Sequence, residues 1–154
     1  MTEPSAPPDR ALPDSQDVRL LTEIGFLAAV KGDVMRAEKI FSALLLFRPG
    51  KAFAHVGLAV ALMNAGRAGD AVAHLTAATP DPGEDAEMVQ TMLGLALQLD
   101  GRSHQSQQVL RKLVGPPAAC NAASDSARLA RKLLGEHPEG TNATPSSFFA
   151  LYST

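Results

Sequence analysis

The chain has 154 residues, which suits one domain with a single core, and its 14 basic and 16 acidic side chains nearly balance. No basic run exceeds Arg131-Lys132, so nucleic-acid binding is not predicted, and the single cysteine, Cys120, excludes an internal disulfide. The start lacks a basic segment followed by an apolar one, and the most apolar stretch, residues 52–65, is too short to cross a bilayer. These features predict a cytoplasmic protein without membrane insertion.

The first predicted element is a disordered leader, residues 1–13, in which four prolines lie among small polar residues. Asp14, with Asp17 three positions later, then has the pattern of a helix start, because acidic side chains cap and stabilise a first turn. From residue 18 the apolar positions follow one helical face as far as Gly32-Asp33. That dipeptide predicts the end of one helix and the N-cap of the next.

The same pattern occurs twice more along the chain. Helices are predicted over residues 52–65 and 84–100, and each is broken by a glycine and followed by a partner helix. One further amphipathic helix, residues 124–136, suits the end of a helical stack, where an apolar face needs a cover. The predicted divisions are a leader at 1–13, a domain at 14–136, and a polar tail at 137–154 with a short apolar end.

Glycines 32, 66 and 101 recur at spacings of 34 and 35 residues. This period, with small and large apolar residues at fixed places in each repeat, resembles the tetratricopeptide family. Each repeat has a small residue, an alanine and an aromatic position in the family's pattern. These three positions hold Gly25, Ala37 and Phe41 in the first repeat, Ala59, Ala71 and Leu75 in the second, and Gly94, Ser106 and Leu110 in the third. Ser106 departs from the family's alanine. The resemblance implies an all-α fold of three tetratricopeptide-like helix-turn-helix repeats stacked as a short superhelix, plus a C-terminal capping helix.

In the tetratricopeptide family the first helix of each repeat lines a concave surface, and the resemblance implies the same here. The lining positions in this chain are mostly apolar: Thr22, Phe26 and Val30, then Phe53, Val56, Val60, Met63 and Asn64, then Met88, Thr91, Leu95 and Leu99. Without basic residues at these positions, a clamp for a terminal carboxylate is not expected. An apolar trough of this kind suits an amphipathic helix or apolar segment of a partner.

Three other interpretations of this apolar face stay open at the level of the sequence. The residues could belong to the core, since apolar residues on a middle helix commonly do. The tail could fill the groove through Phe148, Phe149 and Leu151. A second copy of the chain could cover the face, forming a homodimer.

A closer resemblance is clearest in residues 37–75 and covers about residues 20–114 in all. There Phe41-Ser42-Ala43-Leu44-Leu45-Leu46, a loop, and a helix with Gly57-Leu58-Ala59 resemble the tetratricopeptide chaperones of bacterial type III secretion systems. The resemblance implies a cytoplasmic bacterial chaperone that binds a secreted client, either a translocator or a needle or filament subunit, before export. The alternative is a general tetratricopeptide scaffold that joins proteins of an envelope or regulatory complex.

Catalysis is not predicted from the motifs in this chain. There is no glycine-rich phosphate loop or nucleophile elbow, and the four histidines lie one per element, so neither an enzyme activity nor a cofactor or metal is expected. Cys120 has no histidine near it in the sequence. The acidic run that includes Glu84, Asp85 and Glu87 is interpreted as a solvated helix start. A hydrolase with a helical fold is the remaining alternative from another class.

Overall fold

A computed structural model describes residues 14–114 and 124–135, and all regular structure in these ranges is helical. This confirms the all-α expectation. The leader, the polar tail and Cys120 lie outside the described residues. The helices are α1 Ser15–Val30, α2 Val34–Phe47, α3 Ala52–Asn64, α4 Ala68–Ala77, α5 Glu84–Leu99, α6 Ser103–Val114 and α7 Asp125–Leu133.

The start of α1 is a capping box, as the sequence predicted. The Asp14 carboxylate accepts hydrogen bonds from the backbone N–H groups of Gln16 and Asp17, at 2.7 and 2.8 Å, and the Asp17 side chain accepts one from the N–H of Asp14. The predicted N-cap of α2 is also confirmed, because the Asp33 side chain accepts a hydrogen bond from the N–H of Arg36 at 3.1 Å. Both helices therefore begin where local hydrogen bonding satisfies their first free N–H groups.

Helices α1, α3 and α5 end in the same way. Each is followed by a glycine with positive φ, between 73° and 78°, at Gly32, Gly66 and Gly101. The residue after each glycine donates its N–H to a carbonyl five positions earlier, at 2.8 to 2.9 Å: Asp33 to Ala28, Arg67 to Leu62 and Arg102 to Leu97. This backbone geometry requires a residue that tolerates the left-handed region, which explains the spacing of the glycines.

The helices form two layers. Each helix packs on its neighbours in the chain, and α1, α3, α5 and α7 also pack on one another in that order. The odd-numbered helices therefore form one continuous layer, with α2, α4 and α6 on the other side. Helix α7 packs against α5 and α6 and buries Ala127 and Ala130, so it covers the face that α5 would otherwise expose.

Phe41 is the central side chain between the first two helix pairs. It is fully buried, and its ring lies directly over Gly25 of α1 and Gly57 of α3. A Cβ atom at Gly25 would lie 2.8 Å from Phe41 Cζ, and one at Gly57 would lie 2.1 Å from it. These two glycines are therefore required by the close approach of three helices around one aromatic ring.

Ser106 occupies the third position of a series whose other members, Ala37 and Ala71, are fully buried alanines. The serine is also fully buried, and its hydroxyl donates a hydrogen bond to the Gly94 carbonyl at 2.7 Å. The added oxygen therefore has a partner inside the core, and the departure from alanine leaves no unsatisfied polar atom at this position.

Gly57→Ala should lower the free energy of unfolding by about 1–3 kcal/mol, although alanine is the better helix former. The new methyl group would overlap the Phe41 ring, and neither the ring nor the α3 backbone can move without disturbing the core. Gly69→Ala is the matched control, because Gly69 lies within α4 and a Cβ atom there would come no closer than 3.3 Å to its nearest neighbour, a side-chain oxygen of Asp100. Urea unfolding should show the control near or above the stability of the unmodified protein.

Candidate polypeptide-binding groove

A cleft of about 410 Å³ opens on the layer of odd-numbered helices and is lined by residues of all four of them. The first turns of α3, α5 and α7 form most of its wall, and Phe26 contributes the side that belongs to α1. The lining residues are Phe26, Ala52, Phe53, Val56, Glu84, Asp85, Met88, Asp125 and Ser126. Four of these, Phe26, Phe53, Val56 and Met88, are among the groove positions predicted from the sequence.

The apolar side of the cleft is continuous with the core. Phe26 packs edge-to-face on the buried Phe41, with ring centroids 5.2 Å apart and planes at 72°. Phe53, Val56 and Met88 are half-buried and pack on the same core cluster. Their inner surfaces are therefore fixed by packing, while their outer surfaces remain open to the cleft.

The other predicted groove residues lie outside the lining of this cleft. Val60, Met63 and Leu95 are half-buried and pack on the core, whereas Val30 and Leu99 are exposed. The Thr22 hydroxyl donates a hydrogen bond to the carbonyl of residue 18 at 2.6 Å, within its own helix. The Asn64 amide donates one to the carbonyl of residue 29 at 3.1 Å, which ties the end of α3 to α1.

Thr91 differs most from its predicted role. It is fully buried, and its hydroxyl donates to the Glu87 carbonyl at 2.8 Å and lies 3.4 Å from the Ser126 carbonyl of α7. Helix α7 covers this position, so Thr91 contributes to the contact between α5 and α7 and is inaccessible to a partner. Its equivalent one repeat earlier, Val56, lies where no helix covers it and lines the cleft.

Three carboxylates lie on the rim of the cleft, and the sequence analysis did not assign them to it. Glu84 and Asp85 are in the first turn of α5, and Asp125 is in the first turn of α7. The sequence interpretation of Glu84 and Asp85 as a solvated helix start accounts for their position on α5 but not for their location beside Asp125. A signal was present in the sequence, because parallel helices of a stack bring their first turns to one end of a groove.

Asp85 also completes the start of a neighbouring helix. Helix α3 has no side-chain cap of its own, and the Asp85 carboxylate accepts a hydrogen bond from the Ala52 N–H at 2.8 Å. Lys51 Nζ lies 2.9 Å from Asp85 and 3.1 Å from Asp81. The Ala52 N–H, followed by Lys51, lowers the pKa of Asp85, and the two carboxylates, Asp85 first, raise the pKa of Lys51. This arrangement joins α3 to α5 at the cleft rim.

Asp85→Ala should lower the free energy of unfolding by about 1–2 kcal/mol, as the loss of an N-cap does. Asp81→Ala is the control, because it removes only an exposed ion pair with Lys51 and should have a much smaller effect. Because the folded-state pKa of Asp85 lies below its ordinary 3.8, the difference between the two variants should persist at neutral pH and shrink as the pH falls through that lowered pKa. Urea unfolding of both variants at neutral and acidic pH measures this; equal losses at neutral pH would contradict the capping role.

Two histidines form a hydrogen-bonded pair between α3 and α4. His55 Nε2 lies 3.1 Å from the Pro49 carbonyl, which can only accept, so this nitrogen carries a proton. In the neutral ring His55 Nδ1 then accepts from His74 Nε2, at 3.3 Å. Burial, and then the neighbouring His55, lowers the pKa of His74 from its ordinary 6.5. Burial and the neighbouring ring therefore favour the neutral form of His74.

The free energy of unfolding should fall as the pH is lowered from about 7 to about 5. The folded-state pKa of His74 lies below that of the unfolded chain, so the unfolded chain binds more protons in this window and is favoured by acid. His74→Gln should reduce the slope, while His104→Gln, at an exposed position on α6, should leave it unchanged. Urea unfolding of the three proteins across this pH range checks the assignment, and an unchanged slope in His74→Gln would contradict it.

Two further features of the described residues bear on the kind of site. Within residues 14–114 and 124–135, no group of three or more His, Cys, Asp or Glu side chains is placed to hold a metal ion. In the same part of the chain, no helix combines the length and apolarity needed to cross a membrane. The cleft is thus an apolar surface with an acidic rim and is not part of a metal-ligand cluster among these residues.

The chain matches no protein-family model, no curated protein and no solved structure. The resemblances to the tetratricopeptide family and to the secretion chaperones therefore rest on the residues that carry them. What the structure adds is a layer of odd-numbered helices with an apolar cleft on it.

Proposed function

We propose that this protein binds a segment of another polypeptide on its layer of odd-numbered helices. The observation that carries the proposal is the cleft, whose apolar side is built from α1, α3 and α5 and whose rim extends to α7. A groove that crosses several parallel helices suits an elongated ligand, and an amphipathic helix is the common ligand of apolar grooves.

The finer architecture we propose is a stack of tetratricopeptide-like helix pairs. Three observations support it: the repeated glycine ends, the series of fully buried residues 34 and 35 positions apart, and the packing of odd-numbered helices on one another. In such a stack each pair buries its apolar face only against its neighbours, so the inner layer forms a continuous concave surface.

The biological role we propose is that of a cytoplasmic bacterial chaperone for a type III secretion substrate, a translocator or a needle or filament subunit. The resemblance in residues 37–75 supports this role, and the apolar cleft provides the means. The protein would cover an aggregation-prone segment of its client in a stoichiometric complex, without nucleotide, and hand it over at the secretion machinery. Removal of apolar surface from water on both molecules would drive the association.

A general scaffold is the second candidate, and one observation favours it. Helix α1 exposes Leu20, Ile24 and Leu27, which are spaced along one helical face and have 57%, 45% and 56% of their surface accessible. A scaffold needs two binding surfaces, and this face is separate from the residues that line the cleft. It would let the protein join two folded partners.

Co-expression with the partner recovered from native cells distinguishes the two candidates. A chaperone should convert a secreted protein that aggregates or polymerises alone into a soluble complex of defined stoichiometry, without ATP. That complex should persist in high salt, because apolar burial is not screened as exposed charges are. A partner that is equally soluble and monomeric alone would support the scaffold and contradict the chaperone proposal.

A further inference from the structure

The cleft combines an apolar wall with three carboxylates among its lining residues. Glu84, Asp85 and Asp125 line it, and its lining contains no lysine or arginine. Resting on the proposed function, we infer that the bound partner segment carries lysine or arginine beside the apolar side chain that enters the cleft. The charge pattern of the groove would thus select a basic amphipathic segment over a neutral or acidic one.

The apolar part of the cleft has the size and rigidity of a site for an anchoring side chain. Its volume of about 410 Å³ falls within the range of ligand pockets in proteins. Phe26 is held by its edge-to-face contact with Phe41, and Phe53 and Met88 pack on the core. A large apolar side chain of the partner would therefore meet a preformed surface, and burial of its area would supply most of the affinity.

Two of the three rim carboxylates remain available to a partner. Asp85 is engaged by Lys51 and by the Ala52 N–H. Glu84 is exposed and forms no ion pair with any residue that the structure describes. Asp125 pairs at 2.9 Å with Arg128 one turn along its own helix, but both side chains are mostly exposed, so this contact is weak and exchangeable.

The chain's own tail is a poor match for this rim. Residues 136–154 contain the apolar group near Phe148, but their charged side chains are Glu136 and Glu139, with no lysine or arginine. This segment would therefore offer no lysine or arginine to Glu84 or Asp125. Charge complementarity therefore favours a separate, basic partner over occupation by the tail.

Two synthetic peptides of equal length provide the probes. Both place leucines along one helical face; the lysine probe has lysine at the remaining positions and the glutamate probe has glutamate. The rim variant, Glu84→Gln with Asp125→Asn, removes two charges from the rim of the cleft. The control, Glu38→Gln with Asp70→Asn, removes two charges from α2 and α4 and has the same net charge, which separates local recognition from general attraction.

We expect fluorescence anisotropy at low salt to show that the intact full-length protein binds the lysine probe about tenfold more tightly than the glutamate probe. The rim variant should reduce this preference to about threefold or less, and the control variant should retain it. Added salt should reduce the preference in the intact protein. Equal binding of both probes, or an equal loss of preference in the control variant, would overturn the inference.

Two further outcomes would show that the cleft holds the chain's own tail or a second copy of the chain. Phe148→Ser with Phe149→Ser in the full chain should leave the affinity for the lysine probe unchanged, and a gain of about tenfold would assign the cleft to the tail. Self-association that the lysine probe reverses would assign it to a second copy. Either result would overturn the inference.

Failure of the inference is distinguishable from failure of the proposed function. A groove variant, Phe53→Gln with Met88→Gln, removes apolar surface from the cleft without changing charge. If both probes bind equally and this variant weakens both, the groove is confirmed and only the basic preference is wrong. If neither probe binds, or the variant weakens neither, the proposed function fails and this inference fails with it.

Discussion

Replacing Phe41 with alanine should lower the free energy of unfolding by about 3–5 kcal/mol. Its ring is fully buried between Gly25 of α1 and Gly57 of α3, and it packs edge-to-face against the ring of Phe26. The two residues that the ring faces, Gly25 and Gly57, have no side chains that could fill the space that it leaves. The cavity should therefore persist, and a persistent cavity makes large-to-small substitutions most costly.

Phe47→Ala is the matched control for Phe41→Ala. Both substitutions remove the same atoms from α2, but Phe47 has 47% of its surface exposed. Urea unfolding followed by circular dichroism should show a loss of less than about 1 kcal/mol for the control, because only part of its area is buried. Equal losses in the two variants would show that Phe41 is not the central contact between the first two helix pairs.

The ends of the helices could be predicted from the sequence because short-range chemistry determines them. Asp14 and Asp33 cap the residues that follow, and Gly32, Gly66 and Gly101, all with positive φ, close the helices just before them. These contacts join residues at most five positions apart, so the local sequence contains all the information that they need. The buried residues Phe41, Leu75 and Leu110 could also be predicted from the sequence, since a fixed period places them at equivalent points of the repeats.

The composition of the cleft could be predicted only in part, because it depends on contacts between repeats. Asp85 reaches Ala52, 33 residues earlier, and Thr91 reaches Ser126, 35 residues later. Periodicity identifies the face of a helix but not the rotation of one helix pair on the next. Contact with α7 buries Thr91, whereas its equivalent one repeat earlier, Val56, lines the cleft.

The replacement of Phe53 and Met88 by glutamine should weaken binding of the lysine probe by about 100-fold, the second large effect we expect. The two side chains lie on α3 and α5 and both line the cleft, so a bound apolar side chain would contact both. Each substitution removes about 1.5 kcal/mol of binding free energy from apolar burial, and the two losses together lower the affinity by about two orders of magnitude.

The control for this variant is Phe47→Gln with Met35→Gln, the same two changes on exposed positions of α2. It should bind the probe as the unmodified protein does, because α2 belongs to the other layer of helices. The helical content of the groove variant should be retained, since glutamine in an open cleft stays hydrated in the free protein. Anisotropy titrations with circular dichroism on the same samples check both expectations. Equal weakening by the two double variants would show that the apolar cleft does not hold the partner, because the control leaves every lining residue of the cleft unchanged.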